Sequence, residues 1–156
     1  MKAYRVHQGG RFGEGRFDTM SREELDAGNV EVRIAYASVN YKDALTARGK
    51  AKIALKFPLV VGIDLAGVVE ESADARFKKG DEVIVHSFGL GAEHDGGYAE
   101  LGRFPADWVI PLPKGLSLFE ASAAVWPATP SALASNRLSP FGSGITQSAG
   151  KRPSSA

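Results

Sequence analysis

Two stretches hold the residue types that chemistry needs. The first is Ser38-Val-Asn-Tyr-Lys-Asp-Ala-Leu45, where Asn40, Tyr41, Lys42 and Asp43 crowd donors, acceptors and charge into four positions. The second is Pro58-Leu-Val-Val-Gly-Ile-Asp-Leu-Ala-Gly-Val-Val-Glu70, an apolar run interrupted by a single aspartate, Asp64. A strand that apolar is buried, and burying even a neutral polar group without a hydrogen bond costs about 2–7 kcal/mol. Asp64 therefore needs partners. It is either a structural acid satisfied by backbone N–H groups or a cation such as Lys42, or a pocket residue whose protonation is tuned by burial. Asn40, Tyr41 and Asp43 also have two readings: a polar strand-to-helix junction, or side chains converging on a cleft at a strand end.

Other candidates carry less. His94 lies between Glu93 and Asp95, but three adjacent residues in a loop rarely converge on one ion. His7 and His86 fall on expected strands far apart in sequence, and there is no cysteine, which rules out disulfides and thiolate zinc. No metal site is expected. Gly89-Leu-Gly-Ala-Glu-His-Asp-Gly-Gly97 is not a dinucleotide fingerprint: it opens into a strand rather than a helix, and it carries acids where phosphates would sit. Arg48, Lys50 and Lys52 form one local basic group, read as a solvated loop or as a contact for a ligand phosphate.

The elements that position these residues follow from periodicity. Residues 1–7 alternate loosely and predict a strand, with Gly9-Gly10 as its turn. Residues 11–28 are polar, with room only for a short helical turn at Ser21-Arg-Glu-Glu, where Glu24 completes a capping box. Val30 to Ala37 alternates cleanly: Val30, Val32, Ile34 and Tyr36 share the buried face, Glu31 and Arg33 the other. Tyr41 to Arg48 predicts one or two helical turns closed by Gly49. The run from Pro58 to Glu70 reads as one buried strand, with Gly62 and Gly67 marking bends, bulges or close approaches. Strands are expected again at residues 82–86, 98–102 and 108–113, and a helix starts at Ser117 with Glu120 as its capping partner. Short strands, few helices and many glycines predict a mainly β (α+β) domain, an antiparallel barrel or sandwich.

Composition sets the bounds. The chain has 156 residues and a net charge of +1, with no basic block, so nothing argues for a nucleic-acid or membrane-surface partner. No run approaches the roughly 20 apolar residues of a membrane span. The N-terminus lacks the apolar core of a secretory signal, and a cytoplasmic setting is expected. From residue 121 onward there is no Asp or Glu, and eight of the thirteen serines lie there. Trp126-Pro-Ala-Thr-Pro interrupts the helix, and a proline inside a helix costs roughly 3 kcal/mol. The chain is therefore divided into residues 1–125 and a partly helical or flexible tail, 126–156.

Four stretches occur here in one order and spacing: Ser38-Val-Asn-Tyr-Lys-Asp-Ala-Leu, Gly62-Ile-Asp-Leu-Ala-Gly-Val-Val, Phe77-Lys-Lys-Gly-Asp-Glu-Val-Ile-Val and Gly89-Leu-Gly-Ala-Glu-His-Asp-Gly-Gly-Tyr-Ala-Glu. Residues 1–125 thereby resemble the N-terminal part of the acrylyl-CoA reductase branch of the zinc-free, quinone-oxidoreductase-like medium-chain dehydrogenases/reductases. The resemblance implies a GroES-like β-barrel, completed in the family by a C-terminal segment and interrupted by a Rossmann domain that is not expected in this chain. It implies NADPH-dependent reduction of a short enoyl thioester such as acrylyl-CoA, with NADP touching Tyr41 and with Asn40 lining the pocket. Such a reduction needs a hydride donor near the β-carbon, hydrogen-bond donors on the thioester oxygen and a proton for the α-carbon. Asn40, Tyr41, Asp43 and Asp64 are the candidate catalytic residues on this view, and Tyr41 the cofactor contact. Without the Rossmann half the chain by itself is expected to be inactive. The alternatives are a quinone or enone reductase of the same superfamily and a non-catalytic GroES-like binding module. A homo-oligomer is compatible with either, since incomplete barrels leave open edges.

Overall fold

The computed structural model describes residues 1–124; the tail inferred for 126–156 lies outside them. Eight strands and two short helices follow in order: β1 (Lys2–His7), β2 (Glu14–Thr19), β3 (Val30–Tyr36), α1 (Tyr41–Ala47), β4 (Leu59–Val60), β5 (Asp64–Ser72), β6 (Glu82–His86), β7 (Leu101–Phe104), β8 (Val109–Pro111) and α2 (Leu118–Ala124). They form two antiparallel sheets, β2-β1-β4 and β7-β3-β5-β6-β8. Segment 98–100 laces the sheets together. Tyr4 donates its N–H to the Tyr98 carbonyl at 2.8 Å, Glu100 donates to Lys2, and Ile34 donates to Glu100 at 3.1 Å. The mainly β, barrel-like architecture is therefore present.

Alternation on β5 and β6 explains why these strands read as continuously apolar. Leu65, Val69, Val83 and Val85 face one cluster with Val30, Val32 and Phe104. Ala66 and Ile84 face the opposite way and are covered by Ala121 of α2, with Leu112, Leu116 and Leu118 around them. Both faces are buried, so neither strand needs polar alternation.

Four expectations are corrected. Residues 14–19, read as polar connection, form β2, paired with all of β1 from Lys2↔Thr19 to His7↔Glu14. This edge strand is held by backbone ladder bonds rather than burial: Phe17 is 83% exposed and meets Tyr4 edge-on at 5.2 Å. Second, the run 58–70 is two strands in two sheets. β4 pairs with β1 and β5 with β3 and β6, the chain changing sheets at residues 61–63. Third, Glu31 is buried rather than solvent-facing. It is clasped by Arg103 at 2.8 and 2.9 Å and by the Arg22 Nε at 2.7 Å, beside a register shift between Glu31 and Val32. Tyr36, expected inside, is partly exposed and packs edge-on against Phe119.

The sheet-changing corner depends on Gly62, whose φ is +108° and where an added Cβ would lie 2.8 Å from the Gly97 nitrogen. Gly80 has a similar φ of +95° with open space around it. Backbone strain of this kind costs about 1–2 kcal/mol, and a steric clash adds about 1–3 more. Gly62→Ala should therefore lower unfolding free energy in urea by at least about 2 kcal/mol, against about 1 kcal/mol for Gly80→Ala. Equal losses would show that the close approach to Gly97 does not matter.

Candidate functional site

Three segments meet at the end of β3: residues 38–43, the corner at 63–64, and Tyr98. Asp64 opens β5, and Asp43 sits in the first turn of α1; both are at least 98% buried. Asp64 Oδ1 accepts the Ser38 N–H at 2.8 Å, and Oδ2 accepts the Ser38 hydroxyl and the Asn40 side-chain amide, the latter at 2.7 Å. Asp43 Oδ2 accepts the Asn40 backbone N–H at 2.8 Å and its side-chain amide at 3.1 Å. Asp43 Oδ1 accepts the Ile63 N–H at 3.1 Å, one residue before Asp64. Tyr98 donates its hydroxyl to the Ser38 carbonyl at 2.9 Å, with Asp43 Oδ2 at 3.3 Å beside it.

The local chain explains this convergence. Asn40 is the extended residue that enters α1, and an acid three positions later returns to cap its N–H, the reciprocal half of a capping box. Asp43 thus satisfies a helix terminus and the sheet-changing corner at once. Asp64 is satisfied by Ser38 and Asn40; Lys42 is exposed, and neither Asp64 nor Asp43 forms an ion pair among the described residues. With only neutral donors available, burial pushes the Asp43 carboxyl above the usual carboxylate range, and the neighbouring Asp64 charge adds to the shift. Burial likewise raises the Tyr98 phenol, with Asp43 reinforcing it.

Tyr41 stands apart from this network, 80% exposed, next to Val39 at 82%. A groove of about 560 Å³ opens alongside, lined by Tyr4, Phe17, Tyr36, Val39, Asp43 and Tyr98 among others. Of the four sequence candidates, Asn40, Asp43 and Asp64 are brought into mutual contact, and Tyr41 is presented to the outside beside them. Both Asn40 amide protons are engaged by groups of the network. Ser38 belonged to the motif without being singled out. Tyr98 carried no local signal, because its partners lie 55–60 residues away.

The remaining candidates have other surroundings. His94 places its ring nitrogens 3.0 Å from the Asp95 carbonyl and 3.1 Å from that of Ala27, while Asp95 accepts the Val60 N–H at 2.9 Å. Those contacts pin the glycine-rich loop against the β4 edge. Among the described residues, no three His, Asp or Glu side chains gather as a metal site would require. No described helix is long and apolar enough to cross a membrane.

The fold and this corner define a GroES-like domain. Residues 26–114 match the alcohol dehydrogenase GroES-like domain family, and the chain belongs to it. Over 103 residues it is 47% identical to YhfP of Bacillus subtilis, a candidate quinone oxidoreductase, covering 66% of this chain and 31% of that protein. Over 104 residues it is 42% identical to the acrylyl-CoA reductase AcuI of Ruegeria pomeroyi, covering 67% of this chain and 32% of the relative. The chain thus spans about a third of the length of these curated relatives. The YhdH oxidoreductase of Salmonella enterica, solved in complex with NADP, superposes with a TM-score of 0.75 at 41% identity, over 78% of this chain and 38% of that one.

The shared amide predicts coupled acids. Replacing Asp64 by Asn removes a like charge from Asp43, so the Asp43 carboxyl carbon should titrate at lower pH in Asp64→Asn than in the parent. The folded parent holds the Asp43 proton more tightly than the unfolded chain. Its stability should therefore fall as pH rises from the ordinary carboxylate value through the raised one, then level off. Carboxyl-carbon NMR titration and urea melts across that window check both; an unmoved Asp43 midpoint would refute the coupling.

Proposed function

We propose that this chain is the site-bearing GroES-like part of an NADPH-dependent reductase of short enoyl-CoA thioesters, with acrylyl-CoA as the representative substrate. The observation that carries the reading is the Ser38–Asn40–Asp43–Asp64 network, which fixes the start of α1, leaves Tyr41 exposed there, and adjoins an apolar groove that Val39 and Asp43 line. The likeness to AcuI supports the thioester, and the NADP bound to the Salmonella structure supports the dinucleotide. An exposed tyrosine ring beside Val39 suits the flat, uncharged face of a nicotinamide. When bound, that group supplies the hydride delivered to the β-carbon.

The protein's own share is positioning and hydrogen bonding. Tyr41 offers a hydroxyl to the oxygen on which enolate charge develops, or to the cofactor beside it. Asn40, Asp43 and Asp64 act through Tyr41, holding the strand-to-helix junction rigid with neutral donors and sealed carboxylates. A second reading, reduction of free quinones or enones by the same site, draws on the likeness to YhfP.

A chimera separates the two. Residues 1–114 should replace the matching segment of the Ruegeria relative, and NADPH oxidation be followed with acrylyl-CoA and with a free quinone. The thioester should be preferred, and Tyr41→Phe should lower kcat by about 100-fold. Preference for the quinone would select the second reading, and an unchanged Tyr41→Phe rate would remove Tyr41 from the chemistry. The 156-residue chain assayed alone should not turn over NADPH. Turnover by it would show that the cofactor needs no further wall than these residues provide.

A further inference from the structure

His86 closes β6 directly opposite Asp64 in the β5–β6 ladder. Register partners project on the same face of a sheet, with Cβ atoms about 4.5–5.5 Å apart. Here it is the face of Ala66 and Ile84, which α2 covers. His86 is 94% buried, and its Nε2 is shut off from solvent without a hydrogen-bond partner among the described residues. Its Nδ1 lies 2.8 Å from the hydroxyl of Ser87, an exposed residue. One buried imidazole thus has a nitrogen bonded to an exposed residue and another sealed inside, at the ladder position opposite Asp64. A buried, unpaired polar nitrogen is destabilising, and its retention in a packed face calls for a role.

The turn that places Ser87 is also unusual. Ser87 and Phe88 both have left-handed backbones, φ 65° and 50°, a conformation that L side chains disfavour. The turn is pinned from both ends. Ser87 donates its N–H to the Ile63 carbonyl at 3.1 Å, and Phe88 stacks flat on Trp108 with ring centroids 5.2 Å apart. Ile63 is the residue whose own N–H binds Asp43. The strained turn is therefore tied into the carboxylate network through one residue, Ile63, and strain of this kind collects at functional positions.

We propose that His86 and Ser87 form a proton-exchange path into the Asp64 site: His86 is a titratable group coupled to Asp64 and reaches solvent through the Ser87 hydroxyl. Its use in reduction rests on the functional reading above. A bound nicotinamide would supply two electrons and one hydrogen as hydride for the β-carbon, which leaves one proton to be supplied at the α-carbon. That proton comes from solvent by way of Ser87, is taken up at Nδ1 as Nε2 releases its own toward the site, and leaves the imidazole neutral again. Burial holds His86 below the ordinary histidine value, with Asp64 opposing that shift, so the ring is neutral and able to relay near pH 7. Among the described residues the charges facing it are few. Asp64 comes from β5, Asp43 stands behind Ile63, and the nearby Glu120 of α2 is exposed and bound to Ser117.

Nitrogen NMR of the histidine rings tests this in the 156-residue chain, with the His86 signal assigned by its loss in His86→Gln. His86 should titrate while the chain remains folded, with a midpoint below about 6.5. Asp64→Asn should move that midpoint further down by about half a unit or more, because a carboxylate favouring the imidazolium is gone. Ser87→Ala, at an exposed position, should change the ratio of Nδ1–H to Nε2–H tautomers. A ring that fails to titrate before acid unfolding, a midpoint unmoved by Asp64→Asn, or a tautomer ratio unmoved by Ser87→Ala would each overturn the proposal. These readouts need no turnover, so they stand or fall separately from the assigned reaction.

Discussion

One side-chain amide, that of Asn40, lies between two buried carboxylates. It reaches Asp64 at 2.7 Å and Asp43 at 3.1 Å, and without it two acids with no ion-pair partner among the described residues would confront each other across a buried corner. Repulsion between like charges grows as the surroundings lose water, so the shared donor does more than satisfy a single hydrogen bond. It lets the strand-to-helix junction at 38–43 and the sheet-changing corner at 62–64 occupy the same space. The start of α1, the first residue of β5 and the placement of Tyr41 all depend on that junction.

The partners chosen for these acids bear on function. A lysine or arginine would have stabilised both carboxylates, but a fixed positive charge would then stand beside the groove. Backbone N–H groups, a serine hydroxyl and an amide satisfy the oxygens with no ion pair among the described residues, and one carboxyl, Asp43, retains its proton to higher pH as burial disfavours its charge. Elsewhere the molecule uses the opposite solution. Glu31, also buried, is held by two arginines at the margin of the five-stranded sheet, where the guanidinium groups keep contact with water.

Geometry at the corner follows from backbone constraints more than from side-chain bulk. Gly62 turns the chain from one sheet into the other, and the loop at 96–98 closes over it, Gly97 donating its N–H to the Gly62 carbonyl at 3.1 Å. That loop is pinned by Asp95 to Val60 and delivers Tyr98, which completes the polar network. Candidate site and barrel seam are therefore one construction.

The sequence by itself determined the local and periodic features. Alternation marked β3, the apolar runs marked β5 and β6, and paired Ser/Glu spacings marked the turns at Ser21 and Ser117. The unusual residue types in the Ser38–Asp43 motif and at Asp64 pointed to one corner. These signals are legible because they arise within a few residues of one another, where helix and strand periods leave their trace in residue order. Tertiary structure decided the rest. β2 has little burial pattern and exists because β1 lends it a ladder; Gly62 splits a seemingly continuous strand because two sheets compete for it. Asp64 finds Ser38, Tyr98 finds Asp43, and His86 stands opposite Asp64 only once the strands are in register. A hydrogen bond depends on angstrom-scale placement of groups 20 to 60 residues apart, and no local period in the chain encodes it.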